Sequence, residues 1–404
     1  MRGDRALPLA GIRVLDFSQV QFGPMATQTL ADFGAEVIKV ERPGVGDISR
    51  SIDQFAAGVD DSAIFAALNR NKRSIALDVK HPDARCVLDG LLQDTDIVVE
   101  NFRPGVADRL GIGYEELSAR YPALIYAAGT GYGVTGPLAG LGGQDIVAQS
   151  LSGAINHNRG PDGRPRIYPV PIVDFGSGMA LVQGILLALL ERATSGRGQR
   201  VDVSLLDTGI FMQMQEYVQW MSRGREINWE NDHLVGVFKA ADGWISVVGL
   251  FRPTPLRTIC QALETDDLSA DPRFATQHAI REHRPALWEL LDRAFARLTV
   301  EDISARLSAR DILCGPVLDY DEVIDHPQVV RNGTVVSVEH PTLGDLRLVD
   351  HPVRLSGAER GPMRPPPLLG QHTIDVLLEA GLSQVEADAL VDAGVAAVPP
   401  GAST

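Results

Sequence analysis

The sequence predicts an α/β protein of two domains, the larger built on a mostly parallel sheet and the smaller of α+β type. Three observations carry this. The 404 residues exceed what one hydrophobic core usually organises. From residue 12 to 128, short β-type runs alternate with helical segments. The helices between them carry the expected punctuation, Pro in a first turn and Gly just past an end.

Residues 12–17 form the first β-type run. Pro24 suits the first turn of a helix reaching Phe33, with Gly34 at its C′ position, and 36–41 is the second strand. Strand, helix and strand at this spacing make a right-handed parallel crossover. The pattern repeats with a strand at 74–79, a helix at 82–93 and a strand at 96–100. A loop at 101–105, a short helix at 106–110 and a strand at 124–128 follow. In such sheets ligands bind beyond the C-terminal strand ends. The loops 19–24, 42–47, 101–105 and 129–136 leave those ends and are rich in Gly, Asn, Gln and Arg.

Residues 168–173 are apolar and cannot be helical across Pro169 and Pro171. Asp174 follows, and Phe175-Gly176-Ser177-Gly178 leads into the apolar stretch 179–190. That stretch predicts a buried helix, capped by Ser177 or a neighbour and returning to solvent at Glu191-Arg192. Asp174 then stands at a helix N-terminus, where unpaired N–H groups and the dipole favour the ionised form. An ionised carboxylate beside apolar residues suits a nucleophile, and the same position suits an Asp that only caps a helix. Both readings stand at this point. Residues 200–205 alternate like a strand, and Asp207 opens a helix.

Beyond Asp207, residues 210–221 predict one apolar packing helix, and 223–232 an exposed connection. The second domain holds a strand at 243–248 and amphipathic helices at 254–263, 285–298 and 300–308. A hairpin spans 335–349, short helices 371–380 and 384–393, and the tail 398–404 is predicted mobile.

The formal charge of −15 argues against nucleic acid and anionic membrane surfaces, while a few arginines in one cleft could still hold a phosphorylated ligand. Cys86, Cys260 and Cys314 form no CxxC, so neither a disulfide framework nor a zinc site is expected. With no signal-peptide pattern in residues 1–7, and 179–190 too short for a bilayer, a cytoplasmic protein is predicted. Residues 131–136 formally match GxGxxG, but Pro137 stands where a dinucleotide unit would start its helix. No GxxxxGK[ST] or HExxH occurs, and no histidine has a partner at metal or triad spacing. His233, near the domain junction, is the one histidine of interest.

Leu9-Ala10-Gly11-Ile12-Arg13-Val14-Leu15-Asp16, the Val20-Gln21-Phe22-Gly23-Pro24 loop and residues 30–41 together resemble the opening of the class III CoA-transferases. This CaiB/BaiF type includes formyl-CoA:oxalate CoA-transferase and the carnitine CoA-transferases. The resemblance continues in order through residues 69–75, 100–105, 131–137 and 145–149, the Asp174 segment and residues 196–203. It is looser afterwards, in Asp242-Gly243-Trp244 and Asp271-Pro272-Arg273-Phe274.

The resemblance implies a Rossmann-like large domain made of both chain ends, residues 1–222 and 330–404, with a small domain at 223–329. It also implies a homodimer whose subunits thread through each other as linked rings. The implied activity moves CoA between a thioester and a free carboxylic acid, with acyl-CoA as substrate and no prosthetic group or metal. Asp174 falls on the family's catalytic aspartate, and the backbone around Gln21 is positioned to supply oxyanion donors. Gln21, Phe22, Arg42, Leu77, Val79, Lys80, Asn101, Phe102, Arg103 and Arg109 fall on the family's CoA-contacting segments. For the four cations, the anionic phosphates of CoA give an independent reason. Gln144, Asp145 and His233 are candidates for the acyl group, and their polarity points to a polar or carboxylate-bearing one.

Two departures matter. The glycine-run loop of formyl-CoA:oxalate enzymes has no equivalent in residues 228–233. The 2-methylacyl-CoA racemases, which resemble this chain, place a His-Asp pair where Gln144-Asp145 stands, and Gln cannot relay a proton at neutral pH. A racemase, or a silent acyl-CoA-binding paralogue, is the alternative reading.

Overall fold

The computed structural model describes residues 7–53, 62–160, 162–229, 233–358 and 361–400. Strand β1 (Arg13–Asp16) is followed by helix α1 (Phe22–Asp32), β2 (Glu36–Glu41), α2 (Ala63–Leu68) and β3 (Arg73–Leu77). Then come α3 (Ala84–Gln93), β4 (Ile97–Glu100), α4 (Val106–Arg109), α5 (Tyr114–Arg120) and β5 (Ile125–Thr130). Helices α6 (Asp145–Leu151), α7 (Ala154–His157) and α8 (Ile172–Ser195) lead to β6 (Arg200–Ser204) and α9 (Leu205–Phe211).

Alternate residues of the central strands face opposite ways, and both faces are apolar, which is the signature of a covered parallel sheet. Leu15, Ile38 and Val98 pack with α3 and two C-terminal helices, Thr373–Glu379 and Gln384–Asp392. Val14, Val37 and Val99 pack with Phe22 and Ala26 of α1 and with Leu181 and Ile185 of α8. The result is a three-layer α/β/α sandwich.

The second compact unit comprises residues 214–332, and the first comprises 1–213 and 333–404. The sequence reading set these limits at 222/223 and 329/330. The second unit opens with α10 (Met214–Arg223) and holds an antiparallel sheet of β7 (Val235–Lys239), β8 (Trp244–Val248) and β9 (Leu313–Pro316). Phe238 of that sheet stacks on Phe295 at 4.5 Å, in a core shared with Leu287 and Leu291. Returning to the first unit, the chain forms the hairpin β10 (Val335–His340) and β11 (Gly344–Val349), and then β12 (Ala396–Ala397).

The large sheet has the order β12-β3-β2-β1-β4-β5-β6, parallel except for β12 against β3. Order therefore reverses between β1 and β4, and the loops leaving those two strands flank the switch point. There they hold each other. Asn101 accepts from the Gln19 N–H at 2.8 Å and donates to the Gln19 carbonyl at 2.9 Å.

Beneath this edge lies a cluster of buried charges. Asp16, ending β1, accepts from Thr27 Oγ1 at 2.6 Å and from Lys72 Nζ at 3.0 Å, and also from the Ser18 hydroxyl. Lys39 Nζ donates to the Ser18 carbonyl at 2.8 Å and pairs with Asp47 at 2.8 Å. Asp47 in turn accepts from the Val20 N–H at 3.0 Å. Burial alone would raise the Asp16 pKa, but Lys72, Lys39 and the two hydroxyls hold it at about 2. All four ions are enclosed, so each depends on the others for the solvation that water would give.

Four expectations change. The main helix begins at Ile172, not Met179, so Asp174 lies in its first turn and Ser177 is interior to it, not its cap. Gly176 and Gly178 lie within the helix where neighbours approach too closely for a side chain. A Cβ on Gly176 would lie 2.6 Å from Met212 Sδ, and one on Gly178 2.8 Å from the Phe22 carbonyl oxygen. The 24-residue α8 is thus long and apolar enough to cross a membrane, which the stretch 179–190 was not; here it is the crossover between β5 and β6, packed on α1. The helix expected at 210–221 divides into α9 and α10. Part of the connection expected at 223–232, and most of the tail expected at 398–404, lie outside the described residues.

Replacing Lys72 with Met leaves the Asp16 carboxylate short of a partner in a dry interior. The variant should lose about 3–5 kcal/mol of stability, measured by denaturant unfolding. A loss below about 1 kcal/mol would mean that the cluster does not brace this edge.

Candidate active site

Helices α1 and α8 are both crossovers of a parallel sheet, so both start at its C-terminal edge. Gly178 brings them into contact beside Phe22 and Met25. Asp174, one turn earlier on the buried stripe of α8 with Ser177, Leu181 and Ile185, is only 9 % exposed. The Ser177 hydroxyl is buried and has no hydrogen-bond partner among the described residues.

Asp145 controls the first turn of α8. Its Oδ2 accepts from the Val173 N–H at 2.8 Å and from the Asp174 N–H at 3.0 Å. Its Oδ1 accepts from Gln149 Nε2 at 2.5 Å, and Gln149 Oε1 accepts from the Tyr168 N–H at 3.1 Å. The acceptor for the orphan N–H groups of this helix end is therefore a second carboxylate, not Asp174. Burial first, and the charge of Asp145 second, push the Asp174 pKa up to about 7. This reverses the expectation that the helix end favours the ionised form. The favourable end is already occupied by an anion.

Gln21, half-buried, is the N-cap residue of α1, and the N–H groups of Phe22 and Gly23 in the first turn have no intrahelical partner. Val20 before it takes φ = 65°, which a β-branched residue rarely adopts. Asp47 and Asn101 hold that loop from two sides. Asn101, expected to contact CoA, thus has its side-chain amide bonded to Gln19.

Arg42, Lys80, Arg103 and Arg109 are exposed, and among the described residues none has an ion-pair partner. Arg42 follows β2 directly, Lys80 and Arg103 stand three residues beyond the ends of β3 and β4, and Arg109 ends α4 after the same β4 loop. Arg103 lies against Gly142, lining with Phe102, Thr130 and Thr135 a cavity of about 290 Å³. Phe102 is half-buried there, and Phe22 is in the core on the α1 side. Leu77 is also a core residue, buried with Ile75 and Val376, and Val79 packs on that cluster, so neither offers a free side chain at the edge.

Gln144 is exposed as the N-cap of α6, accepting from the Ile146 N–H at 3.1 Å. Asp145, expected near the acyl group, is enclosed with both oxygens engaged. His233 belongs to the second unit, where its ring pairs with Gln277 at 2.8 Å. Residues 230–232 beside it lie outside the described residues. The GxGxxG stretch is a loop, and Gly131 serves there to let the backbone of Gly143 pass close by. Among the described residues no cluster of His, Cys, Asp or Glu could hold a metal ion.

Glu100 was not singled out from the sequence. It accepts from the Phe102 N–H at 2.7 Å, and burial pushes its pKa up to about 7. Its sequence signals were its place at the end of a strand and at the head of the 100–105 motif.

The Asp174 pKa sets a stability trend. Well below the ordinary value of 3.8 the residue is protonated in folded and unfolded chains alike. As pH rises to about 7 the unfolded chain releases this proton first, so ionisation favours unfolding, and above 7 the full penalty applies. The neutral variant Asp174→Asn should therefore be more stable than the parent at pH 8, by an amount on the order of 2–4 kcal/mol. The gap should close toward pH 4 in thermal melts. An equal gap at both pH values would refute this assignment.

The sequence profile described as CoA-transferase family III matches residues 9–373. A succinyl-CoA:glutarate CoA-transferase of Mus musculus is 35 % identical over 382 residues, covering 93 % of this chain and 87 % of that protein. A formyl-CoA:oxalate CoA-transferase of Rhodopseudomonas palustris (strain BisA53) is 35 % identical over 413 residues, covering 96 % of each. The crystal structure of a CAIB/BAIF family protein from Brucella suis superposes with a TM-score of 0.83 at 29 % identity, covering 93 % of this chain and all of that one. The profile and both relatives span nearly the whole chain, as the motif order of the first half led us to expect, and the chain belongs to CoA-transferase family III.

Proposed function

We propose that this CoA-transferase works through Asp174 as its nucleophile. The observation that carries the proposal is the enclosed Asp174 carboxylate at the first turn of α8, beside the braced start of α1. Its oxygen attacks the thioester carbon of the acyl-CoA, the C–S bond breaks, and a mixed anhydride and CoA thiolate form. The thiolate then attacks the Asp174 acyl carbon, releasing the first acid and leaving an aspartyl-CoA thioester. A second carboxylate attacks this thioester, giving a new anhydride and thiolate, and the thiolate takes the new acyl group. Asp174 is thereby restored. Exclusion of water keeps the thioester energy in the transfer.

The first-turn N–H groups of α1 after Gln21 are suited to receive the oxyanion. Arg42, Lys80, Arg103 and Arg109, exposed and without ion-pair partners among the described residues, suit the phosphates of CoA. For the acyl group we propose a polar or carboxylate-bearing acid. Both relatives named above take their names from reactions of dicarboxylates, glutarate and oxalate.

The acting form we propose is a homodimer. Leu186, Leu187 and Leu190 leave an apolar surface exposed on α8 of the single chain, and Ile146, Val147 and Leu151 another on α6. Surfaces of this kind are normally covered by a partner. Sedimentation velocity should return a dimer, and a monomer at micromolar concentration would rule this out.

Mass spectrometry after exposure to a panel of acyl-CoA donors, then hydroxylamine, tests the chemistry. A hydroxamate at Asp174 is expected with the true donor, and Asp174→Ala should abolish transfer while CoA binding persists. Because only the carboxylate attacks, kcat/KM should fall as pH drops through about 7. Full turnover by Asp174→Ala would refute the mechanism. No adduct with any donor, but exchange of solvent deuterium into the α-carbon, would favour a racemase instead.

A further inference from the structure

We propose that Asp145 is a positioning residue for Asp174, not a contact for the acyl group. The inference rests on the reading of Asp174 as nucleophile. Asp145 is the first residue of α6, so its own charge is supported by that helix end. Its side chain reaches to a different helix and accepts two successive N–H bonds, one of them the backbone N–H of Asp174 itself. The third bond, from Gln149, leaves little rotational freedom, because Gln149 is completely buried and its other end accepts from Tyr168. Tyr168 lies in the segment that leads through Pro169 and Pro171 into α8. One brace therefore grips the chain on both sides of the point where the catalytic helix begins.

Two chemical consequences follow. The backbone of Asp174 is held in a single place, so the direction of its carboxylate depends on two side-chain torsions alone. Such restriction matters in a reaction of four successive attacks, each of which forms or breaks a bond to the same carboxyl group. The brace also removes the helix-end N–H groups from the reach of the Asp174 carboxylate and places the Asp145 charge near it. A carboxylate denied those donors is more basic and a better nucleophile once ionised. The oxyanion donors must then come from elsewhere, and the first-turn N–H groups of α1, which have no intrahelical acceptor, are the set we assign to that role.

Asp145→Asn keeps an oxygen that can accept from the two N–H groups but removes the charge and, because its amide nitrogen cannot accept, the bond from Gln149. Gln149→Leu keeps the charge but removes the brace. We expect Asp145→Asn to lower kcat about tenfold and to move the acid limb of kcat/KM down by about half a unit or more, with KM for both substrates within about twofold. Gln149→Leu should lower kcat with the limb in place. Parent, both variants and Asp174→Ala are assayed together, with circular dichroism to establish folding. If Asp174→Ala is inactive while Asp145→Asn keeps the parent kcat and limb, the inference fails and the nucleophile reading survives. A rise in KM for the acid at unchanged kcat would also overturn it, in favour of a direct substrate contact. Should Asp145→Asn fail to fold, an unchanged kcat in Gln149→Leu overturns the positioning role. Turnover by Asp174→Ala would overturn both.

Discussion

Four enclosed charges under the C-terminal edge of the sheet, Asp16, Lys39, Asp47 and Lys72, set the terms for the rest of the large domain. Ions out of contact with water must be matched closely, and here the matching groups come from β1, β2, the loop after β2 and the start of β3. The cluster therefore assembles only when three parallel strands are in register. Its outward side is what the loop after β1 rests on. Asp47 holds the Val20 N–H, Lys39 the Ser18 carbonyl and Lys72 the Pro24 carbonyl, so a backbone with Val20 at φ = 65° persists. The strain is local and its support is long-range.

The second constraint is the start of α8. A helix that begins directly after Pro171 exposes its orphan N–H groups to whatever lies nearest, and the nearest acceptor is Asp145. That leaves Asp174 enclosed, close to another anion and titrating near neutral pH rather than in the ordinary carboxylate range. A group with these properties destabilises the folded chain when ionised. Such destabilisation is tolerable because the sandwich around it buries two continuous apolar layers.

Much of the large domain was legible in the chain. Strands at 36–41 and 97–100, the helix through Asp32 and the helix ending at Gln93 were marked by apolar runs and by Pro and Gly at their ends. The helices of the second unit were legible from their periodicity, as at Val300–Ser308. Among the elements missed were α6, where Gly and Gln precede the helix, and the two-residue β12, which exists only because Leu77 and Ala76 offer it an edge. Helix α8 was misjudged at its start. Gly176 and Gly178 argue for a flexible lead-in until one sees Met212 and the Phe22 carbonyl pressed against them.

By itself the sequence determined the alternation of strands and helices, the family to which the motifs point, and Asp174 as the residue to watch. Those properties depend on neighbours along the chain, where spacing and residue type suffice. Tertiary structure alone decided that Asp145 and not solvent meets the first turn of α8, that Asn101 clamps Gln19, and that Leu77 is a core residue. Asp145 and Asp174 are 29 residues apart, and Gln19 and Asn101 are 82 apart. Hydrogen bonds and charge over such separations are set by how the layers pack, and no pattern within either segment encodes them.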